Sequence, residues 1–155
     1  MRALRFRTDS NPVTFVDRLA GVVTQNVERE VRDFVVRRAD GLWAYQLAVT
    51  VDDFEQGVTH IVRGADLLDN TARQIALQRA LGFPTPVYMH VPLVVDEHGA
   101  KLSKQTKAAA VAGIEPLVVL ETLWAHFGFR PMGADGVAAF LRTAVGLWRE
   151  RFACR

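Results

Sequence analysis

Three lysines, Lys101, Lys104 and Lys107, lie in one seven-residue window, and every other basic residue of the chain is an arginine. A lysine ammonium is a compact charge on a flexible stem and suits a phosphate that moves during a reaction, whereas arginine's rigid fork suits a fixed carboxylate. With Gly99 as a hinge, such a loop could fold over a triphosphate and neutralise the charge of departing pyrophosphate. A solvated surface turn is the common alternative for a short lysine motif. The clustering of all the lysines nevertheless favours phosphate chemistry.

The elements that must position this loop include a strand and a helix over residues 58–86, followed by residues that end the helix. The strand is predicted to end at Arg63, and Asp69 or Asn70 is predicted to cap the helix. Gly82, followed by a proline, ends the helix. This order places Arg63 at a strand end, next to the start of a helix.

The strongest strand pattern covers residues 33–53. Asp40-Gly41 predicts a hairpin turn between two runs rich in β formers. In the second run bulky residues, beginning with Trp43 and Tyr45, alternate with small or polar ones. The pattern predicts a second strand that carries Tyr45 on its bulky face.

The rest of the chain predicts short extended pieces over 11–23, a strand over 87–95 and a polar turn over 96–99. A helix over 115–128 begins with an early proline, and a last helix follows Asp135. Strand–helix–strand followed by helices is typical of an α/β sheet with a helical tail.

Composition narrows the class of protein. The 155 residues carry a formal net charge of +2 and predict one domain, 1–155, with an α/β part over 1–110 and a helical tail over 111–155. No secretory signal or membrane span is expected. The single cysteine, Cys154, indicates a reducing, cytoplasmic location, and the scattered histidines have no metal-ligand spacing.

Three quoted segments carry a family resemblance. "KLSKQ", Lys101 to Gln105, resembles the second ATP-binding motif of class I aminoacyl-tRNA synthetases. With "WAYQLAVTVDD" and "GVTHIVRGADLLDNTARQIAL" it resembles the glutamyl-tRNA synthetase group. The motif reads "KLSKQ", with Gln105 where "KLSKR" has arginine. In this it resembles the truncated glutamyl-queuosine tRNA(Asp) synthetase family. The resemblance runs from about Leu4 to Trp148. It implies an α/β fold, the second half of a Rossmann-like nucleotide-binding fold with a C-terminal helical segment.

The resemblance also implies an activity and its site. The family activates glutamate with ATP and Mg²⁺ and attaches it to queuosine in tRNA(Asp). The resemblance implies a catalytic role for Lys101 and Lys104, whereas no role is transferred to Lys107. The implied ATP-binding residues are Lys101, Leu102, Ser103, Lys104 and Gln105.

For glutamate, the resemblance implies Tyr45 and Arg63. Arg63 has independent physical support, because α/β sheets bind ligands at strand ends and a guanidinium pairs with an acidic substrate. A surface arginine remains the alternative. For Tyr45 the alternative is a core tyrosine with a satisfied hydroxyl.

The family's first half is expected to lie outside this sequence, because no "HIGH"-type motif and no zinc-site cysteines are found. The isolated chain is therefore expected to be inactive. Two alternatives stay open: a non-catalytic tRNA-binding module, and a fragment of an ordinary glutamyl-tRNA synthetase. Gln105 and the end of the chain soon after the last helix argue against the second.

Overall fold

The computed structural model describes residues 2–96, 98–99, 101–102 and 111–152. These fall into two compact units, 1–90 and 91–155. The first unit contains both sheets and most of the buried core, and the second is mainly helical.

Ten elements begin in the first unit. In chain order they are β1 (Leu4–Phe6), β2 (Val13–Asp17), β3 (Gly21–Gln25), α1 (Val27–Glu30), β4 (Phe34–Arg37), α2 (Tyr45–Glu55), β5 (His60–Gly64), a 3₁₀ turn (Ala65–Leu67), α3 (Leu68–Leu81) and β6 (Val87–Val91).

The larger sheet has four strands in the order β3-β2-β6-β5. β2 and β3 form an antiparallel pair, which agrees with the short extended pieces predicted over 11–23. β2 also runs parallel to β6, with Asp17 opposite Tyr88. This pairing brings together two segments that are far apart in sequence. A second, two-stranded sheet joins β1 and β4 in antiparallel fashion.

Helix α3 forms the centre of the core. Ala72, Ile75 and Leu77 are buried against Phe15 of β2 and Tyr88 of β6. Burying each large apolar side chain is worth roughly 1.5–3 kcal/mol. The predicted strand–helix–strand unit, β5–α3–β6, is confirmed.

The end of α3 is also as predicted. Gly82 has a φ of 72°, and the Phe83 N–H donates to the carbonyl of Gln78 over 2.8 Å. Only glycine adopts this left-handed conformation without strain. The helix therefore stops at Leu81 and the chain turns back towards β6.

The predicted second arm of the hairpin is wrong. The Asp40-Gly41 turn forms, but the second arm is reduced to a single bridge between Trp43 and Arg37. Residues Tyr45–Glu55 form the helix α2. The β-branched run misled the prediction because tertiary contacts override local propensity.

Those contacts hold α2 against its neighbours. Leu47 packs against the core of the first unit. The ring of Phe54 stacks on Phe83 with centroids 3.8 Å apart. Tyr45 is consequently the first residue of a helix and is 54 % exposed, not a mid-strand residue.

The predicted caps of α3 are also wrong. Leu67 occupies the N-cap position without a side-chain bond, because a 3₁₀ turn leads directly into the helix. Asp69 and Asn70 lie inside the first turn. Asn70 instead accepts hydrogen bonds from Gln46 and Arg73.

The second unit contains α4 (Pro116–His126) and α5 (Val137–Phe152). Trp124 of α4 is buried, stacks on Phe129 at 3.8 Å and meets Phe140 of α5 edge-on. Both predicted helices are thus confirmed. No helix in the described part of the chain is long and apolar enough to cross a membrane.

Candidate functional site

Arg63 is the centre of the candidate site. It is the next-to-last residue of β5, and the 3₁₀ turn and α3 follow it directly. The side chain is only partly exposed. The sequence prediction of an arginine at a strand end, beside a helix start, is therefore confirmed.

Three groups fix the guanidinium of Arg63. Its Nε donates to Nε2 of His90 over 3.0 Å, and its Nη2 donates to Oγ1 of Thr71 over 2.8 Å. Nη2 also lies 3.4 Å from the carbonyl oxygen of Leu67. The charged carbon lies 5.3 Å from the ring centre of Tyr88, a cation–π distance. Within the described residues no hydrogen bond uses Nη1, so its N–H groups can donate to a ligand.

The charge of Arg63 is maintained despite burial. Burial, the main influence, lowers the pKa of Arg63, while Tyr88, Tyr45 and Asp53 act in the opposite direction. An arginine remains protonated under such conditions. A partly desolvated guanidinium with unused donors is suited to a carboxylate.

His90 connects Arg63 to a buried carboxylate. Nδ1 of His90 lies 2.7 Å from Oδ2 of Asp17, and both residues are buried. The backbone N–H of His90 also donates to Oδ2 of Asp17 over 3.0 Å. The parallel pairing of β2 with β6 makes these contacts possible.

Asp17 is ionised. Burial raises the pKa of its carboxyl, but hydrogen bonds from the Ala20 N–H, the His90 imidazole and the N–H groups of Leu19 and His90 outweigh it and lower the pKa overall. The bonds from Leu19 and Ala20 measure 2.9 and 2.8 Å. The carboxylate thus anchors both the β2–β3 turn and the imidazole.

Tyr45 lies close enough to Arg63 to interact with it electrostatically. The residue next to it, Gln46, ties the start of α2 to α3 by two side-chain bonds, to Asn70 at 2.7 Å and to Gln74 at 2.9 Å. These amide bonds hold the exposed phenol beside the strand end. Both residues predicted to bind glutamate are therefore brought to one region of the first unit.

Asp53 adds a negative charge near the same region. Burial raises the pKa of Asp53, the positive charge of Arg63 counteracts this, and Asp52 adds to the increase. Both aspartates lie in the last turns of α2.

The start of the lysine window lies in the second unit. Lys101 bridges Val95, and the Leu102 N–H donates to the carbonyl of Val94 over 3.0 Å. The Gly99 N–H closes the predicted polar turn by donating to the carbonyl of Asp96 over 3.0 Å. Lys101 and Leu102 are both exposed. The remaining predicted ATP-binding residues, Ser103, Lys104 and Gln105, lie outside the described residues.

Sequence reasoning missed Asp17, Thr71 and His90. His90 is one of four histidines that are scattered along the sequence. A polar residue inside a run of strand formers, as in "VYMHV", is the signal that could have identified His90 as a buried group with a partner.

A family model described as tRNA synthetases class I (E and Q), catalytic domain, matches residues 1–116. The chain belongs to this family. The α/β fold class predicted from the sequence is that of the family, which supports reading the site around Arg63 as part of a synthetase catalytic domain.

Curated relatives in the family have similar sequences. A glutamyl-Q tRNA(Asp) synthetase of Burkholderia cenocepacia is 54% identical over 163 residues, which cover 99% of this chain and 54% of that protein. The one from Cupriavidus metallidurans is 56% identical over 153 residues, 97% of this chain and 49% of that protein. The chain thus spans about half the length of the curated relatives it matches.

Solved structures in the family are also similar. The glutamate-tRNA synthetase of Elizabethkingia anophelis matches with a TM-score of 0.60 and 30% identity, over 66% of this chain and 21% of that one. A glutamate tRNA ligase of Elizabethkingia meningosepticum, solved in complex with its amino acid, matches with a TM-score of 0.61 and the same identity and coverage.

Proposed function

We propose that this chain carries the glutamate-binding region of a glutamyl-Q tRNA(Asp) synthetase. Such an enzyme activates glutamate with ATP and transfers it to queuosine in tRNA(Asp). The observation that carries the proposal is the guanidinium of Arg63, which is fixed by His90 and Thr71, uses Nη1 in no hydrogen bond among the described residues, and interacts electrostatically with Tyr45.

Charge gives this site its selectivity. A fixed, partly buried guanidinium binds a carboxylate through charge-assisted bonds and gains much less from a neutral amide. Arg63 is thus suited to the side-chain carboxylate of glutamate, and the exposed hydroxyl of Tyr45 can donate a further bond. Glutamine, with an amide at that place, should bind more weakly.

Activation requires a second set of groups. In the proposed reaction a carboxylate oxygen of glutamate attacks the α-phosphorus of ATP, and pyrophosphate leaves with the bonding electron pair. By the family resemblance, Lys101 and Lys104 stabilise the triphosphate and the departing charge, and Leu102, Ser103 and Gln105 complete the loop. Among the described residues no group of three or more acidic, histidine or cysteine side chains could hold a metal, so no residue is assigned to Mg²⁺.

The names of the relatives support the choice of acceptor. The curated relatives are named for tRNA(Asp), and the chain is 54–56% identical to the two described above. The solved neighbours are named for glutamate, at 30% identity. Transfer to queuosine of tRNA(Asp) therefore fits the more similar proteins.

A chimera tests the proposal. This chain replaces the matched segment of the Cupriavidus metallidurans relative, which is 56% identical to it. The purified chimera is given radiolabelled glutamate, ATP and either tRNA(Asp) containing queuosine, the same tRNA without queuosine, or tRNA(Glu). The unmodified relative serves as the positive control.

Label on queuosine-containing tRNA(Asp) alone is the expected result. Label on tRNA(Glu) instead would favour an ordinary glutamyl-tRNA synthetase. No label on any tRNA, together with salt-sensitive tRNA binding by the 155-residue chain, would favour the non-catalytic module and refute the enzymatic proposal.

A further inference from the structure

The hydrogen bonds around His90 allow only one arrangement of its ring protons. Nε2 faces two groups, the Nε–H of Arg63 at 3.0 Å and the hydroxyl of Thr71 at 3.2 Å. Arg63 has only donors and no acceptors. Nε2 must therefore be unprotonated, with its lone pair towards Arg63, and the ring proton must be on Nδ1.

Asp17 holds the proton on Nδ1. Its Oδ2 is 2.7 Å away and, as an ionised carboxylate, only accepts hydrogen bonds. The second oxygen, Oδ1, accepts from the turn N–H groups of Leu19 and Ala20, so the carboxylate cannot rotate without losing them. The orientation of Asp17 is thereby set by the backbone of the β2–β3 turn.

We propose that Asp17 and His90 are positioning residues for Arg63. Asp17 selects the Nδ1–H form of His90, and the free Nε2 lone pair then orients the guanidinium so that Nη1 faces the substrate carboxylate. The link to glutamate rests on the proposed function, whereas the ring-proton assignment stands on the hydrogen bonds alone.

The burial of these groups makes the arrangement rigid. Asp17, Thr71 and His90 are 1%, 0% and 3% exposed. A proton on Nε2 would place two N–H donors, those of His90 and Arg63, against each other. Water cannot reach this buried place to supply an acceptor, so the arrangement would be high in free energy. A guanidinium without its Nε partner could rotate away from the direction that glutamate requires.

The first experiment reads the ring protons directly. Long-range ¹H–¹⁵N NMR on the 155-residue chain distinguishes protonated from unprotonated histidine nitrogens, and the Arg63 Nε–H signal reports its hydrogen bond. Asp17→Asn is the test variant, since its amide keeps the shape and can present an N–H to Nδ1. Asp40→Asn removes an equal charge from the surface pair with Arg38 and is the control.

At pH 7 we expect His90 of the wild type and of Asp40→Asn to be Nδ1–H, with a slowly exchanging Arg63 Nε–H. In Asp17→Asn the Nε2–H form should appear and the Arg63 Nε–H should exchange at least about tenfold faster. A wild-type His90 that is Nε2–H or doubly protonated overturns the proposal, whatever the chain does with glutamate. Unchanged ring protons in a folded Asp17→Asn also overturn it.

The second experiment separates the two roles of His90 in the chimera. His90→Gln places an amide oxygen near the former Nε2 and keeps an acceptor for Arg63. His90→Asn places its amide near the former Nδ1, keeps a donor for Asp17, and leaves Arg63 without a partner. Glutamate KM, ATP KM and kcat are measured for each.

We expect His90→Asn to raise the glutamate KM about tenfold or more and leave the ATP KM within about twofold, whereas His90→Gln stays within about threefold for both. Equal losses in the two variants would overturn the positioning role. If Arg63→Ala leaves the glutamate KM unchanged, the proposed function fails. The NMR experiment still tests the ring-proton assignment independently of that outcome.

Discussion

Asp17→Asn should strongly destabilise the first unit of the chain. The substitution preserves the volume of a buried side chain but removes the charge that accepts bonds from His90, Leu19 and Ala20. A hydrogen bond to a charged group contributes about 1.5–3 kcal/mol, and the Asp17 carboxylate accepts several such bonds. We therefore expect a loss of about 3 kcal/mol in the free energy of unfolding at pH 7.

The loss should depend on pH in a defined direction. The pKa of Asp17 is lowered in the folded state, so the ionised group stabilises the fold above the unfolded pKa near 3.8. That contribution disappears as the pH falls through the folded pKa. The stability difference between the wild type and Asp17→Asn should be full at pH 6–7 and shrink progressively below about pH 4.

Hydrogen exchange with mass spectrometry measures the effect on the unit concerned. Peptides covering β2, β3 and β6 report the first unit, and peptides from α4 and α5 report the second. For a unit of this size roughly 3 kcal/mol corresponds to a fall in melting temperature of about 12 °C or more. Asp40→Asn is the matched surface control.

A loss below about 1 kcal/mol at pH 7 would refute the reasoning, because Asp17 would then act as an ordinary surface carboxylate. A difference that stays constant down to pH 2 would refute the ionised state. Equal protection losses in the second unit would indicate general unfolding, not loss of this buried pair.

Three further predictions concern other parts of the chain. Lys104→Ala in the chimera should lower the rate of glutamate-dependent ATP–pyrophosphate exchange by roughly 100-fold and leave the glutamate KM within about twofold; an equal loss of glutamate affinity would contradict its role at the phosphates. Gly82→Ala should lower the free energy of unfolding by about 1 kcal/mol in urea titrations, because alanine is strained at the φ of 72°. No atom lies within 4 Å of the added methyl group, so a clash adds nothing to this loss, and an unchanged midpoint would contradict the strain argument. Burial raises the pKa of Asp53, so its ionised form at pH 7 opposes folding. Asp53→Asn should therefore raise the melting temperature at pH 7 but not at pH 3, and a gain at both pH values would assign the effect to packing.

The parts of the fold that sequence could predict are those specified by local chemistry. Gly82 ends α3 because few other residues adopt its conformation, and Asp40-Gly41 forms its turn for a similar reason. Arg63 was found because strand end, glycine and helix start follow one another in the chain. Such signals lie within a few residues of the feature they determine.

The parts that sequence missed depend on contacts between distant residues. Asp17 and His90 are 73 positions apart and meet only because β2 lies parallel to β6. Helix α2 was mistaken for a strand because its bulky residues alternate, which is the pattern of a strand. The bonds that tie Gln46 to α3 are not visible in the sequence. A single sequence contains no direct record of such pairings.

The most direct test of the central claim is the kinetics of Arg63→Gln in the chimera. A neutral amide removes the guanidinium charge and should raise the glutamate KM by about 10- to 100-fold, while the ATP KM stays within about twofold. The preference for glutamate over glutamine should fall with it. An unchanged glutamate KM, or an equal rise in both KM values, would contradict the account.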